Sequence, residues 1–190
     1  RLVERLDTSW KELKSQANAA RLRSEPFMPS EADKVKLAVR AFTQEERNFR
    51  RTYLSEAPFS HEVSSSAAFR VLHSLNATLS VLEARSERLS ELQVLFELLP
   101  SEYKKLAWCR TELTRLKTLW DIIFMAEARF RHWHAIPWDK ARAKLSDMAT
   151  QTRALKDQLV TLAAPFGRWD AFIHLETRVR AMDGDLDLIS

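Results

Sequence analysis

Five histidines, one cysteine and scattered carboxylates are the side chains from which this chain could build a reactive centre, and their spacing decides what they can do. His132 and His134 flank Trp133, but on a helix residues two apart point about 200° away from each other and cannot share a metal ion. Near a helix C-terminus such histidines instead answer the last carbonyls and the negative end of the dipole. His61 lies in a loop-like stretch, His73 follows Leu72, and His174 comes late in the chain; none has Cys, Asp or Glu at metal spacing. Asp183-Gly-Asp-Leu-Asp187 opens as a calcium loop does, yet it lacks the mid-loop glycine and has no room for the closing glutamate, so an acidic chain end is the expectation. Cys109 falls in phase with Leu106 and Leu113, which reads as a buried thiol rather than a nucleophile. Glu62 and Glu127 lack the histidine three residues later that bundle metal sites require.

Composition closes off further chemistry. Gly167 and Gly184, the 2 glycines in 190 residues, cannot satisfy either Gly-rich phosphate loop, because both patterns need glycines three to five residues apart. One cysteine rules out a disulfide framework or a thiolate zinc site and suggests a reducing compartment. No apolar run approaches the roughly 20 residues of a membrane span, so neither a membrane nor, given charges of both signs interspersed along the chain, a nucleic acid is an expected partner. The formal charge is +4. Basic clusters at Arg47, Arg50 and Arg51 and at Arg129, Arg131 and His132 read as a solvated face or as a docking patch for an acidic partner. Of the 6 tryptophans, Trp10 and Trp120 continue apolar stripes and are expected in the core. Trp108 sits beside the stripe position of Cys109 and joins Arg47, Arg50, Arg51, Arg129 and Arg131 as a candidate partner-facing residue.

These residues must be positioned by helices. Leu2, Leu6, Trp10, Leu13, Ala17 and Ala20 paint one stripe at steps of three and four, which Pro26 and Pro29 stop. Ser30 opens an approximate capping box for a second helix bearing Val35, Ala38, Val39, Phe42, Phe49 and Tyr53. Residues 55–66, with Pro58 and the serines at 64–66, have turn chemistry. From Ala68 through Leu72, Leu75, Leu79, Leu82, Leu89, Leu92, Phe96 and Leu99 the spacing predicts one long helix over 67–99, roughly 50 Å. Past Pro100, Leu106 to Phe130, with Phe124 among its members, predict a second of similar length that folds back along the first. Asp139 is a plausible N-cap for a fifth helix through Leu162; Pro165, Phe166 and Gly167 make a turn; Phe172, Leu175, Val179 and Met182 mark a sixth. No β alternation runs over four residues. The expectation is an all-α, elongated antiparallel helical bundle of about six helices, two of them long, with shallow crossings and knobs-into-holes packing. Arg1 in place of Met and the ending at Asp187-Leu-Ile-Ser read as an internal fragment of a longer chain.

From Leu92 to Trp133 the pattern becomes specific. Leu95-Phe96-Glu-Leu-Leu-Pro100-Ser-Glu-Tyr103, then Leu106, Glu112-Leu113, Leu116 and Leu119-Trp120, resembles the stem of axonemal dynein heavy chains. The likeness continues through Arg129, Trp133, Ile136 and Trp138-Asp139 to Trp169-Asp-Ala-Phe172 and Val179-Arg-Ala-Met182; earlier, Phe42, Phe49, Tyr53 and Pro58 look like the family's helix before a Pro-bearing loop. Glu97 departs from the family, which often has a glycine there, and Asp185-Leu-Asp-Leu-Ile matches its ending loosely. The resemblance implies stem helices over 1–66, a long stem hairpin over 67–136 and helices of the stem–linker junction over 137–190. It implies a structural, force-transmitting strut in the axoneme of a cilium or flagellum, with no cofactor or catalysis of its own and with ATP and Mg confined to a motor ring elsewhere in the parent chain. Implied partners are that chain's linker and ring, other dynein heavy chains, intermediate and light chains, and the doublet microtubule. The alternative is a spectrin-like helical scaffold or adaptor, which should show an internal repeat near 100 residues that is not convincing here.

Overall fold

The computed structural model describes residues 2–189, with the side chains of 2–8, 24 and 165 outside the description; Leu2 and Leu6 of the first stripe and the Pro165 ring therefore lie outside the described residues. Helices α1 (Leu2–Ser24), α2 (Met28–Glu56), α3 (Ser65–Leu95), α4 (Lys104–His134), α5 (Trp138–Ala141), α6 (Leu145–Phe166) and α7 (Asp170–Ile189) follow one another, with a 3-10 turn at Arg142–Lys144. No strand occurs among the described residues, and the all-α reading holds. At 29 residues α2 nearly matches the 31 of α3 and α4, so long helices number three rather than two.

Several boundaries differ from expectation for identifiable reasons. The expected start at Ser30 moves to Met28, because Pro29 fits the first turn, where its missing N–H is not needed. The expected turn at Pro165–Gly167 begins two residues later, since α6 carries Pro165 in its last turn and ends at Phe166. Gly167 follows because a Cβ there would come within 2.7 Å of the Ala163 carbonyl oxygen. Pro137, not Asp139, occupies the N-cap of α5. The helix expected to reach Leu99 stops at Leu95. Glu97 takes a left-handed φ of 56°, the Leu98 N–H donates to the Gln93 carbonyl at 2.7 Å and the Glu97 N–H to the Val94 carbonyl at 3.1 Å. This is a Schellman ending with glutamate where glycine costs least. Leu99 falls off the stripe and is 90% exposed. The buried Gln93 amide then clasps the turn, donating to the Leu99 carbonyl at 2.7 Å while its oxygen accepts from the Ser101 N–H at 3.1 Å.

The chain divides into two compact units, one of Arg1–Asn48 and Leu82–Tyr103, the other of Phe49–Val81 and Lys104–Ser190. These lines cut through α2 and α3. In the first unit Phe42 meets Tyr103 edge-to-face at 4.8 Å, and Arg85 forks onto Glu45 at 2.6 and 3.2 Å. Trp10, expected in the core, is 64% exposed, and residues 9–23 of α1 are exposed throughout, because none of the described elements covers that stripe.

The second unit is built on α4. Leu106, Cys109, Leu113, Leu116, Leu119, Trp120, Ile122, Ile123, Ala126 and Phe130 are buried, a set too wide for one narrow seam; Phe124, expected among them, is exposed. Phe69 pairs with Phe124 and Asn76 with Arg110, so α3 runs antiparallel to α4. Likewise α6 and α7 are antiparallel, with Phe166 beside Phe172 and Arg153 on Asp187. The polar member of the α6 stripe, Thr152, is fully buried and returns its hydroxyl to the Met148 carbonyl at 2.8 Å.

Replacing Glu97 by Gly should relieve the left-handed backbone and raise stability by about 0.5–1 kcal/mol, the unfolded-state entropy of glycine taking back part of the gain. A higher urea midpoint at constant m-value checks this; a lower one contradicts it.

Candidate functional site

Two clusters in the second unit bring ionisable side chains together. The first centres on Arg50, 7% exposed. It lies one helical turn before Tyr53 on the apolar face of α2, so its head is carried inward. Nη1 donates to Glu112 Oε2 at 2.7 Å and approaches Cys109 Sγ at 3.5 Å. The guanidinium lies over the Trp108 ring, 3.3 Å from its centroid, and 5.3 Å from that of Tyr53. Trp is the best aromatic face for a cation, and one face of this indole is occupied. Nη2 and the Tyr53 hydroxyl find no hydrogen bond among the described residues. Burial pushes the Tyr53 hydroxyl far above the ordinary phenol range, with Glu112 and Cys109 adding and Arg50 opposing, so it stays neutral. Every ionic group here is engaged with another, and the arrangement ties α2 to α4.

The second cluster joins the loop after α2 to the start of α7. Asp170 Oδ2 accepts from the His61 backbone N–H at 3.0 Å, the His61 ring Nδ1 at 2.6 Å and Ser60 Oγ at 3.2 Å. These bonds, the backbone one foremost, hold its carboxyl at about 2. One turn along α7, His174 stacks on His61 with centroids 4.3 Å apart and planes 14° from parallel. Desolvation, then the charges of His61 and Arg178, lower the His174 pKa. A cavity of about 40 Å³ beside the pair, lined by Trp120, Glu127 and Arg178 among others, has room for little more than water. An acid-oriented histidine can act as a base when a nucleophile meets its other nitrogen. Here Ser60 bonds the acid and His174 covers the ring, so no such relay is assembled.

The other residues singled out from sequence scatter. Arg47 is exposed on α2 in the first unit, Arg51 is exposed in the second, and Arg50 between them turns inward, so the three do not form one patch. Arg129 is half-buried; Arg131 is exposed in the last turn of α4 with His132 and His134. Trp108 is 54% exposed beneath Arg50. Cys109 is fully buried, and the three acids at 183–187 lie on α7, not in a loop. Asp183 is buried and takes Lys156 Nζ at 2.5 Å. Among the described residues no group of three or more His, Cys, Asp and Glu could hold a metal, and no helix is long and apolar enough to cross a membrane. Sequence reasoning missed the Arg50–Glu112 pair, although both charges sit in phase with apolar stripes. The His61–Asp170 contact, 109 residues apart, left no local signal.

No family model matches the chain. Among curated proteins it is similar to Dynein axonemal heavy chain 9 of Homo sapiens, 27% identical over 93% of this chain and 4% of that protein. It is also similar to the Dynein beta chain, flagellar outer arm, of Chlamydomonas reinhardtii, 28% identical over 98% of this chain and 4% of that protein. A third, the Dynein beta chain, ciliary, of Tripneustes gratilla, is 24% identical over 99% and 4%. The chain thus spans about 4% of the length of the curated relatives it matches.

Glu112→Gln should cost about 3 kcal/mol, because it leaves the Arg50 charge buried without its counter-ion, whereas Arg50→Met with Glu112→Leu should be nearly neutral; urea unfolding of both variants checks this. Because folding lowers the His174 pKa, its neutral form is the stabilised one: that contribution is complete above its unfolded value and is lost as pH falls through the folded one. The melting temperature should therefore drop between about pH 7 and 5, and less so in His174→Gln. Asp170 contributes above its unfolded value and loses that contribution as pH falls toward 2, so Asp170→Asn should flatten the acid limb.

Proposed function

We propose that this chain, a dynein heavy-chain fragment by its likeness to those relatives, is a passive, force-transmitting stem segment running into the start of the linker. It works in the axoneme of a cilium or flagellum, in keeping with relatives named axonemal, ciliary and flagellar. In this reading it connects the ATP-driven ring of its parent chain to the tail that docks on doublet microtubules. Its neighbours are that chain's own linker and ring, other heavy chains, and intermediate and light chains. ATP and Mg belong to the ring and not to these residues.

The observation that carries the reading is how the helices of the second unit are tied together. The Trp120 indole N–H donates to the Pro58 carbonyl at 2.8 Å, Arg50 grips Glu112, and Ser65 donates to Glu127 at 2.7 Å. Each sets one polar group into an apolar seam, so sliding a helix along its neighbour would leave that group buried without a partner, at a cost of about 1–3 kcal/mol apiece. A segment so tied passes load rather than absorbing it. The spectrin-like alternative has no observation in its favour, since the relatives above are dynein chains.

The purified 190-residue chain should neither bind ATP·Mg by calorimetry nor hydrolyse it in a phosphate-release assay. Stoichiometric binding or sustained turnover would end this reading.

A further inference from the structure

Between α4 and the part of α3 in the second unit runs an open groove of about 450 Å³. Leu72 and Leu113, both buried, form its floor; Phe69 and His73 wall it from α3, Thr114 and Lys117 from α4. Phe69 meets Phe124 edge-on at 6.0 Å, and Phe124 is 53% exposed, so the apolar strip continues toward the start of α3. At the other end Arg110 is held by Asn76 and Ser80. Residues 69–80 rise about 16 Å, three helical turns.

The groove's lining holds two cations, Arg110 and Lys117, and no carboxylate. Residues 65–81 and α4 carry eight Lys and Arg against three acids. Two of those acids face inward bonds, Glu112 to Arg50 and Glu127 to Ser65. The third, Asp121, stands at the surface with Lys117 at 2.7 Å, an exposed i,i+4 pair that holds its partners weakly. Lys117, on the rim, is exposed.

We propose that this groove docks an amphipathic helix of another protein chain, about three turns long, which sets an apolar stripe on Leu72, Leu113 and Phe69 and flanks it with carboxylates. Apolar area supplies the affinity; the basic rim supplies orientation and selects against basic helices. The inference does not depend on the load-bearing role, and failure of either leaves the other standing.

The probe is a fluorescein-labelled peptide of about 18 residues, long enough to populate a helix, with leucines at i, i+3, i+4 and i+7 and glutamates on both flanks. Its sibling has lysines in place of the glutamates. Fluorescence anisotropy against the full 190-residue chain should show the glutamate peptide binding at least tenfold tighter at low salt, with the preference shrinking as salt screens the rim. Lys117→Glu combined with His73→Glu, both exposed positions, should weaken it at least tenfold with unchanged circular dichroism. Thr114→Trp, which fills the groove, should also weaken it. Equal binding of the two peptides, or binding indifferent to these substitutions, overturns the proposal. So does a chain that sediments as a dimer and binds neither peptide, which would make a second copy the occupant.

Discussion

One helix whose buried residues spread over a wide arc dictates the second unit. Buried residues of α4 recur at Leu106, Cys109, Leu113, Leu116 and Trp120 and also at Leu119, Ile122, Ile123, Ala126 and Phe130, so no single neighbour can cover them. Such a surface is stable only when elements arrive from several directions. They do: the end of α2 through Tyr53, α3 through Leu72, and α7 through Ala171 and Leu175, all buried. Trp120 lies at the centre, and its indole N–H draws the Pro58 carbonyl, with the loop after α2, onto the helix.

The buried polar contacts are better understood as register marks than as sources of stability. A buried ion pair contributes little net free energy against an apolar replacement of the same shape, yet losing one partner is costly. Arg50–Glu112 has that asymmetry, and in the first unit the Gln93 clasp has it in neutral form. A helix displaced by one turn would strand such groups. For a segment whose proposed work is to carry load, penalising slip matters more than raw stability.

Periodicity in the sequence conveys helix existence, type and order well, because steps of three and four fix a face without knowledge of partners. It conveys ends less well. The stop at Leu95 depends on a left-handed Glu97, a conformation that residue type argues against. The stripe on α1 is legible, yet Trp10 is exposed: a stripe states a need for cover and not whether the cover is present. The paired sites lay beyond reach for another reason. Arg50 and Glu112 are 62 residues apart, and a charge on an apolar stripe does not say which distant charge meets it. The partial exception is instructive, since Arg50 in phase with Phe49 and Tyr53 marks it as inward-facing once phase is weighed above residue class.

The likeness to dynein heavy chains and the α4-centred packing meet in one physical statement: a helix gripped on several sides, and pinned in register, is the stable axis of its unit. Amide hydrogen exchange followed residue by residue tests it most directly, because protection reports the free energy of local opening. The amides of α4 from Leu106 to Ala126 should exchange slowest in the chain, and those of α1 from Ser9 to Arg23 among the fastest of any helix. Exchange in α4 as rapid as in α1 would contradict it.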